Sequence, residues 1–164
     1  MRIDKTNYYL DIAEAVAERG TCLRANYGSV IVNHDEVIST GYTGSARGKA
    51  NCIDLGYCIR RKLEPNATKG VRFDLCRSVH SEQNAIISAS RIDMIGSSLY
   101  IVGKYCDSDL YKENPDCCQF CKRFIINAGI EKVYFRINKL EYKQINVQDW
   151  IDLDELLEGN KGYK

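Results

Sequence analysis

Two short motifs rich in metal-binding side chains constrain this chain more than any other feature of its sequence. They are 80-HSE-82 and 118-CQFC-121. Apolar residues at helical spacing predict that a helix begins at each motif, over 79–91 and 118–128, and each helix is followed by an apolar run typical of a buried strand. The resulting order of strand, helix, strand, helix and strand predicts an α/β layered domain with a partly parallel sheet.

The rest of the chain adds a helix and a hairpin before these motifs, and an edge strand and a short helix after them. The predicted helices are 5–19, 79–91, 118–128 and 150–158, with Ser78 and Asp149 as N-terminal caps and Gly20 and Gly129 as C-terminal caps. The predicted strands are 28–32, 37–42, 98–103, 132–137 and 142–147. Residues 44–77 show no clear period, and a loop of this length needs something to hold it in place. We expect residues 1–164 to form a single domain.

Together the two motifs carry the residue types of a catalytic zinc site. Such a site has three protein ligands, nitrogen or sulfur, and an open position for water. We predict His80, Cys118 and Cys121 as those ligands, because both cysteines lie on one helical turn and the histidine lies at the start of a second helix. Glu82 lies two residues from His80, where a carboxylate can move protons to and from a water on the metal without ligating the metal itself.

Each motif alone has a simpler interpretation. A Cys-x-x-Cys pair is more often half of a structural zinc site or a redox pair, and a single histidine on an amphipathic helix is usually packed and hydrogen-bonded. An inert zinc-binding module is therefore the alternative from a different class of protein, although such a module would not need Glu82. The two motifs at two helix starts, with a strand between them, match the arrangement of zinc nucleobase deaminases.

The sequence resembles the deoxycytidylate (dCMP) deaminase family, within the cytidine-deaminase superfamily, from roughly Cys22 to Arg136. The segments that carry this resemblance are 28-GSVIV-32, 38-ISTGYTGSARG-48, 51-NC-52, 76-CRSVHSEQNAI-86 and 121-CKRFIINAGIEKV-133. The resemblance implies a cytidine-deaminase-like three-layer α/β/α fold, with a mixed five-stranded sheet flanked by helices. It also implies a homo-oligomer, a dimer or hexamer, and the zinc-dependent hydrolytic deamination of dCMP to dUMP and ammonia.

In the implied reaction a zinc-bound hydroxide attacks C4 of the cytosine ring. Glu82 takes a proton from the water and protonates N3, and it then moves the second proton, from the new hydroxyl on C4, to the departing amine. We predict that Ser81 offers its backbone carbonyl to the amine and that Asn84 supports the site from behind the ligands. For the nucleotide phosphate, the candidates are a cation in the 43–50 turn and Arg24.

The chain departs from the family pattern at two positions. Cys117 stands where the family usually has proline, which creates a Cys117–Cys118 pair and a second register for the metal. Spacing favours Cys118 with Cys121. Thr43 stands where many relatives have asparagine, in a turn that resembles part of their nucleotide site. Thr43 therefore bears on the choice among dCMP, dCTP and cytidine as the substrate.

Four further cysteines, Cys22, Cys52, Cys58 and Cys76, are candidates for a second zinc site. Some members of the dCMP deaminase family carry a second, structural zinc, and the positions of Cys22 and Cys52 match that pattern. Four thiolates would form a closed tetrahedral site, which would hold the 44–77 segment in place. The alternative is that the four cysteines are buried as small apolar side chains. We prefer the zinc interpretation.

Charge and hydropathy restrict the other functions. The formal net charge is +1, which disfavours a polynucleotide substrate and leaves a nucleic-acid base as a weaker alternative than free cytidine or dCTP. No run of about 18 apolar residues predicts a membrane helix, and the first residues lack the apolar stretch of a signal peptide. We therefore expect a cytoplasmic protein, and in a reducing cytoplasm a set of eight cysteines favours metal binding or catalysis over disulfides.

Overall fold

The computed structural model describes residues 2–66 and 73–153. Its strands are β1 (Ala25–Asn33), β2 (Glu36–Tyr42), β3 (Gly44–Ser45), β4 (Ser78–Val79), β5 (Ser98–Tyr105), β6 (Lys132–Arg136) and β7 (Tyr142–Asn146). Its helices are α1 (Lys5–Ala17), α2 (Cys52–Leu55), α3 (Ile59–Leu63), α4 (Ser81–Ile87), α5 (Arg91–Met94), α6 (Gln119–Ala128) and α7 (Val147–Leu153). None of the helices in these two ranges is long and apolar enough to cross a lipid bilayer.

Five of the strands form one mixed sheet, in the order β2-β1-β5-β6-β7. The β5–β6 pair is parallel, and the other neighbouring pairs are antiparallel. A parallel pair needs a crossover connection, and α6 lies within the connection between β5 and β6. The prediction of a mixed five-stranded sheet is confirmed, and β3 and β4 form a separate two-stranded pair.

Helices cover both faces of the sheet, because the strands alternate buried apolar side chains between the faces. One face packs against α4 and α6 through a core that includes Ile31, Leu99, Ile101, Ala85 and Ile125. The neighbouring strand residues point the other way and pack against α1 in a second core that includes Val30, Tyr100, Val102, Leu10 and Ala13. The three-layer α/β/α architecture is therefore confirmed.

Two glycines on adjacent strands set how closely the helices approach the sheet. A Cβ atom on Gly28 of β1 would lie 2.0 Å from the carbonyl oxygen of Ala13 in α1. On the opposite face, a Cβ atom on Gly41 of β2 would lie 2.3 Å from the carbonyl oxygen of Ser81 and 2.3 Å from the amide nitrogen of Ala85. Any larger residue at Gly41 would push the first turn of α4 away from the sheet.

The boundaries of three predicted helices differ from the structure. The first helix ends at Ala17 rather than at the predicted Gly20 cap. The second, predicted over 79–91, begins at Ser81 with His80 as its N-cap, because Ser78 belongs to β4, and it ends at Ile87, before the separate helix α5. The last begins at Val147, so Asp149 lies in its first turn instead of capping it. The predicted end of that helix, 154–158, lies outside the described residues.

The prediction that 44–77 lacks regular structure is wrong for the part of the segment that the structure describes. The segment contains β3, α2 and α3, and a single 3-10 turn over Phe73–Leu75. Helices of four or five residues are too short to show a helical period in the sequence. The remaining part, 67–72, lies outside the described residues.

Candidate metal centre

The starts of α4 and α6 bring three metal-binding side chains together. His80 and Cys118 are the N-cap residues of these two helices, and both have extended backbone angles. Cys121 lies one turn further along α6. The ligand atoms of the three residues all lie within 4.8 Å of one another, and among the residues that the structure describes this is the one group of its kind. We call these three residues the metal triad.

The spacing of the metal triad fits a tetrahedral zinc ion. Typical bonds of about 2.3 Å to sulfur and 2.05 Å to nitrogen at the tetrahedral angle place sulfur and nitrogen about 3.6 Å apart. His80 Nδ1 lies 3.5 Å from Cys118 Sγ and 3.4 Å from Cys121 Sγ. Three ligands of this kind leave the fourth position open, as in catalytic zinc sites.

The ionisation of the metal triad shows how strongly its members interact. A hydrogen bond from the Cys121 thiol lowers the pKa of Cys118, and the bond to His80 lowers it further. The same thiol–thiolate bond, together with burial, raises the pKa of Cys121. Burial lowers the pKa of His80, but the hydrogen bond to Cys118 and the charge of Glu82 outweigh it and the net shift is upward. A metal ion that takes the place of these shared protons would bind two thiolates and a neutral imidazole.

The carboxylate of Glu82 lies beside the metal triad and is 7% exposed. Its Oε2 accepts a hydrogen bond from the Ser81 hydroxyl at 3.1 Å. Burial, and then the charge of Glu82, raise the pKa of the Cys117 thiol well above its usual value. Cys117 therefore lies close to the carboxylate, whereas Cys118 and Cys121 contact His80.

Two residues of β1 that the sequence analysis did not single out belong to this site. The hydroxyl of Ser29 donates to the hydroxyl of Ser81 at 2.8 Å, and both serines are fully buried. Burial, and then the charge of Glu82, raise the pKa of Tyr27. The signal that would have found them is the alternation of β1, which places Tyr27 and Ser29 on the face of the sheet that α4 covers.

The three residues predicted to surround the substrate base, Ser81, Asn84 and Thr43, each make a contact within the protein. The carbonyl oxygen of Ser81 packs against Gly41, while its hydroxyl reaches Glu82. The side chain of Asn84 donates to the carbonyl oxygen of Tyr42 at 2.8 Å and so holds the end of β2. Thr43 is buried, and its hydroxyl accepts a hydrogen bond from the amide of Tyr27 at 3.2 Å. The roles predicted for Ser81, Asn84 and Thr43 toward a substrate stay predictions.

Arg24 lies in a basic cavity near the start of β1. A cavity of about 400 Å³ is lined by Arg24, Arg60, Arg61, Glu64 and Pro65. Arg24 and Arg61 also line a second cavity, which Cys58 and Lys62 share. The cations of the 43–50 turn, Arg47 and Lys49, are exposed instead. Of the two candidates for the phosphate contact, Arg24 is thus the one that lies in a concave, positively charged surface.

The four cysteines proposed for a second zinc lie near one another, but less closely than the residues of the metal triad. We call them the cysteine quartet: Cys22, Cys52, Cys58 and Cys76. Burial, and then the charges of the other three, raise the pKa of Cys52. The amide of Arg24 donates to Cys22 Sγ at 3.4 Å, a contact that stabilises a thiolate. Within residues 2–66 and 73–153, however, no three Sγ atoms of the cysteine quartet are gathered as closely as the ligand atoms of the metal triad.

The sequence matches a known protein family and several curated proteins. The model of the family described as the cytidine and deoxycytidylate deaminase zinc-binding region matches residues 3–137. The deoxycytidylate deaminase of Mycobacterium phage D29 is 34% identical over 139 residues, which are 82% of this chain and 95% of that protein. The deoxycytidylate deaminase of Schizosaccharomyces pombe is 32% identical over 130 residues, which are 79% of this chain but 36% of that longer protein.

Solved structures show the same fold. The dCMP deaminase of cyanophage S-TIM5, in complex with dCMP and dUMP, superimposes with a TM-score of 0.55 at 24% identity and covers 83% of each chain. A cytidine deaminase from Burkholderia pseudomallei superimposes with a TM-score of 0.55 at 15% identity, over 90% of this chain and 95% of that chain. At these identities the two likenesses concern the fold alone.

Proposed function

The chain belongs to the cytidine and deoxycytidylate deaminase family, and we propose that it is a zinc-dependent hydrolase that converts dCMP and water to dUMP and ammonia. The observation that carries the proposal is the metal triad with the buried carboxylate of Glu82 close enough for its charge to act on His80 and Cys121. A structural zinc site would be closed by a fourth ligand and would not need a buried carboxylate next to it.

Four residues carry the proposed chemistry. His80, Cys118 and Cys121 hold the zinc, which when bound lowers the pKa of the attacking water toward neutrality. Glu82 takes a proton from that water and gives it to N3 as the oxygen bonds to C4 of the cytosine ring. Glu82 then moves the remaining hydroxyl proton to the amine, the bond between C4 and the amine breaks, and ammonia leaves with the carbonyl of uracil formed at C4.

For the phosphate of dCMP we propose the basic cavity at Arg24. Arg24, Arg60 and Arg61 line one concave surface, and a guanidinium can bind phosphate through two parallel hydrogen bonds. A site built around such contacts leaves its donors unpaired when the phosphate is missing, so it discriminates against nucleosides. Ser81, Asn84 and Thr43 are proposed to surround the base and sugar from the α4 side.

The cysteine quartet is proposed to bind a second, structural zinc. The support is its composition of four thiols, the mutual electrostatic effects on Cys52 and the amide that already points at Cys22 Sγ. An ion would draw the four sulfur atoms together and hold α2 and α3, which are too short to be stable alone.

We also propose a cytoplasmic homo-oligomer, with residues 1–164 acting as one domain. All eight cysteines are free thiols, which fits a reducing compartment. On α6, Phe120 and Phe124 lie one turn apart and are 46% and 43% exposed, and Ile87 at the end of α4 is 69% exposed. Exposed apolar side chains on adjacent helices are suited to contact a second copy of the chain. Light scattering that gives the mass of a monomer would contradict this part of the proposal.

The test of the proposed function is ammonia release from a panel of cytosine substrates by the purified, zinc-loaded protein. The panel contains dCMP, deoxycytidine, cytidine, dCTP and a single-stranded DNA oligonucleotide. We expect kcat/KM for dCMP to exceed that for deoxycytidine by about 100-fold, because deoxycytidine lacks the hydrogen bonds to a charged phosphate, which contribute about 1.5–3 kcal/mol each. Equal efficiency on the two would contradict the nucleotide assignment and leave deamination standing.

Two arginine variants separate the candidates for the phosphate contact. Arg24→Gln should lower kcat/KM for dCMP at least about 10-fold and leave the activity on deoxycytidine unchanged, as expected for the loss of a charged hydrogen bond. Arg47→Gln removes an exposed cation of the 43–50 turn and should change neither value. The opposite pattern would place the phosphate at the turn.

A further inference from the structure

A chain of buried hydroxyl groups joins the sheet to the carboxylate of Glu82. Ser29 on β1 donates to Ser81 at 2.8 Å, and Ser81 at the first position of α4 donates to Glu82 Oε2 at 3.1 Å. Both serines are completely buried, and Glu82 is nearly so. Each donor in this chain has its acceptor, and successive hydrogen bonds in a buried chain strengthen one another.

The packing of the sheet against α4 makes this chain of contacts possible. Ser29 pairs with Gly41 across β1 and β2, so the two residues lie side by side on the face that α4 covers. The missing side chain at Gly41 lets the first turn of α4 approach the sheet until the carbonyl oxygen of Ser81 nearly touches Gly41. At that distance the Ser81 hydroxyl bridges the gap between the strand and Glu82.

A carboxylate that transfers several protons must point in one direction during the whole reaction. General acid–base catalysis depends on hydrogen-bond distances of about 2.6–3.2 Å to the reacting atoms, and a glutamate side chain has three rotatable bonds. The contact at Oε2 holds one carboxylate oxygen in place. It thereby leaves the other oxygen to face the attacking water and the base.

We propose that Ser29 is a positioning residue for the deamination reaction, which acts through the hydroxyl of Ser81 to hold Glu82 in its productive orientation. The proposal rests on the proposed function, because it assigns Glu82 the proton transfers. Ser29 is fully buried and its hydroxyl bonds to Ser81, so it has no surface with which to contact a substrate. Its effect should therefore appear in the rate of the chemical step rather than in substrate binding.

The test compares Ser29→Ala with a matched control, Ser39→Ala. Ser39 on β2 is also buried, and its hydroxyl donates to the carbonyl oxygen of Ala85 in the same helix at 2.7 Å. Both variants remove one buried hydroxyl that ties a strand to α4, so a purely structural role predicts the same outcome for both. We expect Ser29→Ala to lower kcat about 3–10-fold with KM for dCMP within about twofold of the wild type, because one hydrogen bond of a coupled chain is lost. Ser39→Ala should keep kcat within about twofold of the wild type, and both should bind the same amount of zinc.

A double-variant cycle shows whether Ser29 acts through Ser81. Ser81→Ala removes the direct contact to the carboxylate and should lower kcat about 10–100-fold, the range of a hydrogen bond to a charged group. Adding Ser29→Ala to Ser81→Ala should then have no further effect on kcat. A full additional loss in the double variant would overturn the proposal, as would an equal loss of kcat in Ser29→Ala and Ser39→Ala.

Crystal structures of the zinc-loaded variants give a readout that does not depend on activity. Glu82 should occupy one rotamer in the wild type and in Ser39→Ala, and should be displaced or occupy several rotamers in Ser29→Ala. An unchanged Glu82 in Ser29→Ala would overturn the proposal even if kcat falls. If the wild type deaminates no substrate of the panel, the proposed function fails, and the orientation of Glu82 in these crystals still decides whether Ser29 positions it.

Discussion

The two groups of cysteines in this protein, the metal triad and the cysteine quartet, differ in what holds them. The metal triad lies at the first turns of α4 and α6, two helices that pack on the same face of the central sheet. The cysteine quartet lies on α2, at the N-cap of α3 and on the connecting segments around them. The ligand atoms of the metal triad lie within 4.8 Å of one another, and within the described residues those of the cysteine quartet do not.

This difference indicates that the fold would hold the ion at one group of cysteines, whereas the ion would hold the fold at the other. The metal triad lies on two helices that pack on the hydrophobic core, a rigid support suited to a catalytic site. The cysteine quartet has short helices and little core beneath it, so there the ion itself would supply the energy that orders the chain. We therefore expect the metal triad to serve chemistry and the cysteine quartet to serve stability.

The largest expected effect separates catalysis from metal binding at Glu82, the carboxylate beside the metal triad. Glu82→Gln keeps the shape of the side chain but cannot accept a proton, and general acid–base groups contribute about 10²–10⁴-fold to the rate. We expect kcat to fall by at least about 10²-fold, while the zinc content and the melting temperature stay at the wild-type values. Steady-state kinetics on dCMP and metal analysis of the same samples measure both. Near-normal turnover would remove Glu82 from the mechanism.

The zinc content of the wild type and of single cysteine variants distinguishes the two groups. We expect about two zinc ions per chain, one at each group, because each supplies enough ligands for one tetrahedral ion. Cys118→Ser should lose one ion and all activity, and Cys58→Ser should lose the other ion with a lower melting temperature but measurable activity.

Cys117→Ser is the matched control for the zinc count. Cys117 is the direct neighbour of Cys118, but it is not part of the metal triad, and the charge of Glu82 raises its pKa. It should retain both ions. A zinc content of one ion per chain in the wild type, unchanged in Cys58→Ser, would refute the site at the cysteine quartet. Loss of an ion in Cys117→Ser would mean that Cys117 rather than Cys118 ligates the catalytic zinc.

A smaller effect is expected at Glu14 of α1, on the face of the sheet opposite the metal triad. It tests whether a loss of stability alone lowers the zinc content. Glu14 on α1 accepts hydrogen bonds from Lys139 and Tyr111 at 2.9 Å, and its Oε2 lies 3.5 Å from the buried guanidinium of Arg136. Burial raises the pKa of Glu14, but the contacts with Lys139, Tyr111 and Lys104 outweigh it and the net pKa is lowered. A carboxyl whose pKa is lowered by folding stabilises the protein above its unfolded pKa, and that contribution is lost as the pH falls through the folded value.

Glu14→Gln should therefore destabilise the protein by about 1.5 kcal/mol at neutral pH, the value of one hydrogen bond between charged groups. The difference from the wild type should shrink as the pH is lowered below the unfolded pKa of about 4.3. Urea unfolding at several pH values measures it. Both zinc ions should be retained, and loss of either would mean that the ion counts of the cysteine variants report stability rather than ligation.

The smallest expected effect lies between the two groups, at Thr43. Thr43 accepts a hydrogen bond from the amide of Tyr27, and its carbonyl oxygen accepts one from the amide of Thr21, next to Cys22. Thr43→Asn should change the ratio of kcat/KM for dCMP to that for cytidine by less than about 10-fold, because one neutral hydrogen bond is exchanged for another. It should leave the zinc count unchanged. A lost ion in this variant would mean that Thr43 supports a metal site rather than the substrate.

The sequence alone determined the metal triad, the position of Glu82 and the fold class. His80 and Glu82 belong to one short motif and Cys118 and Cys121 to another, and the period of the flanking apolar residues identified the elements that carry them. These features are local, because one helical turn fixes the spacing of its own side chains. The confirmed sheet and layers follow from the same periods together with the resemblance to a known family.

Tertiary structure alone decided which side chains surround Glu82. Ser29 and Tyr27 lie more than 50 residues before it in the chain, and they reach the site because β1 lies in the sheet beneath α4 and Gly41 permits the close approach. From its neighbours in sequence Cys117 is a second candidate for the metal register, whereas in the fold Cys118 and Cys121 join His80 and Cys117 lies under the influence of the Glu82 charge. Contacts of this kind depend on which elements pack together and in which register, and one residue of strand register reverses the face to which a side chain points.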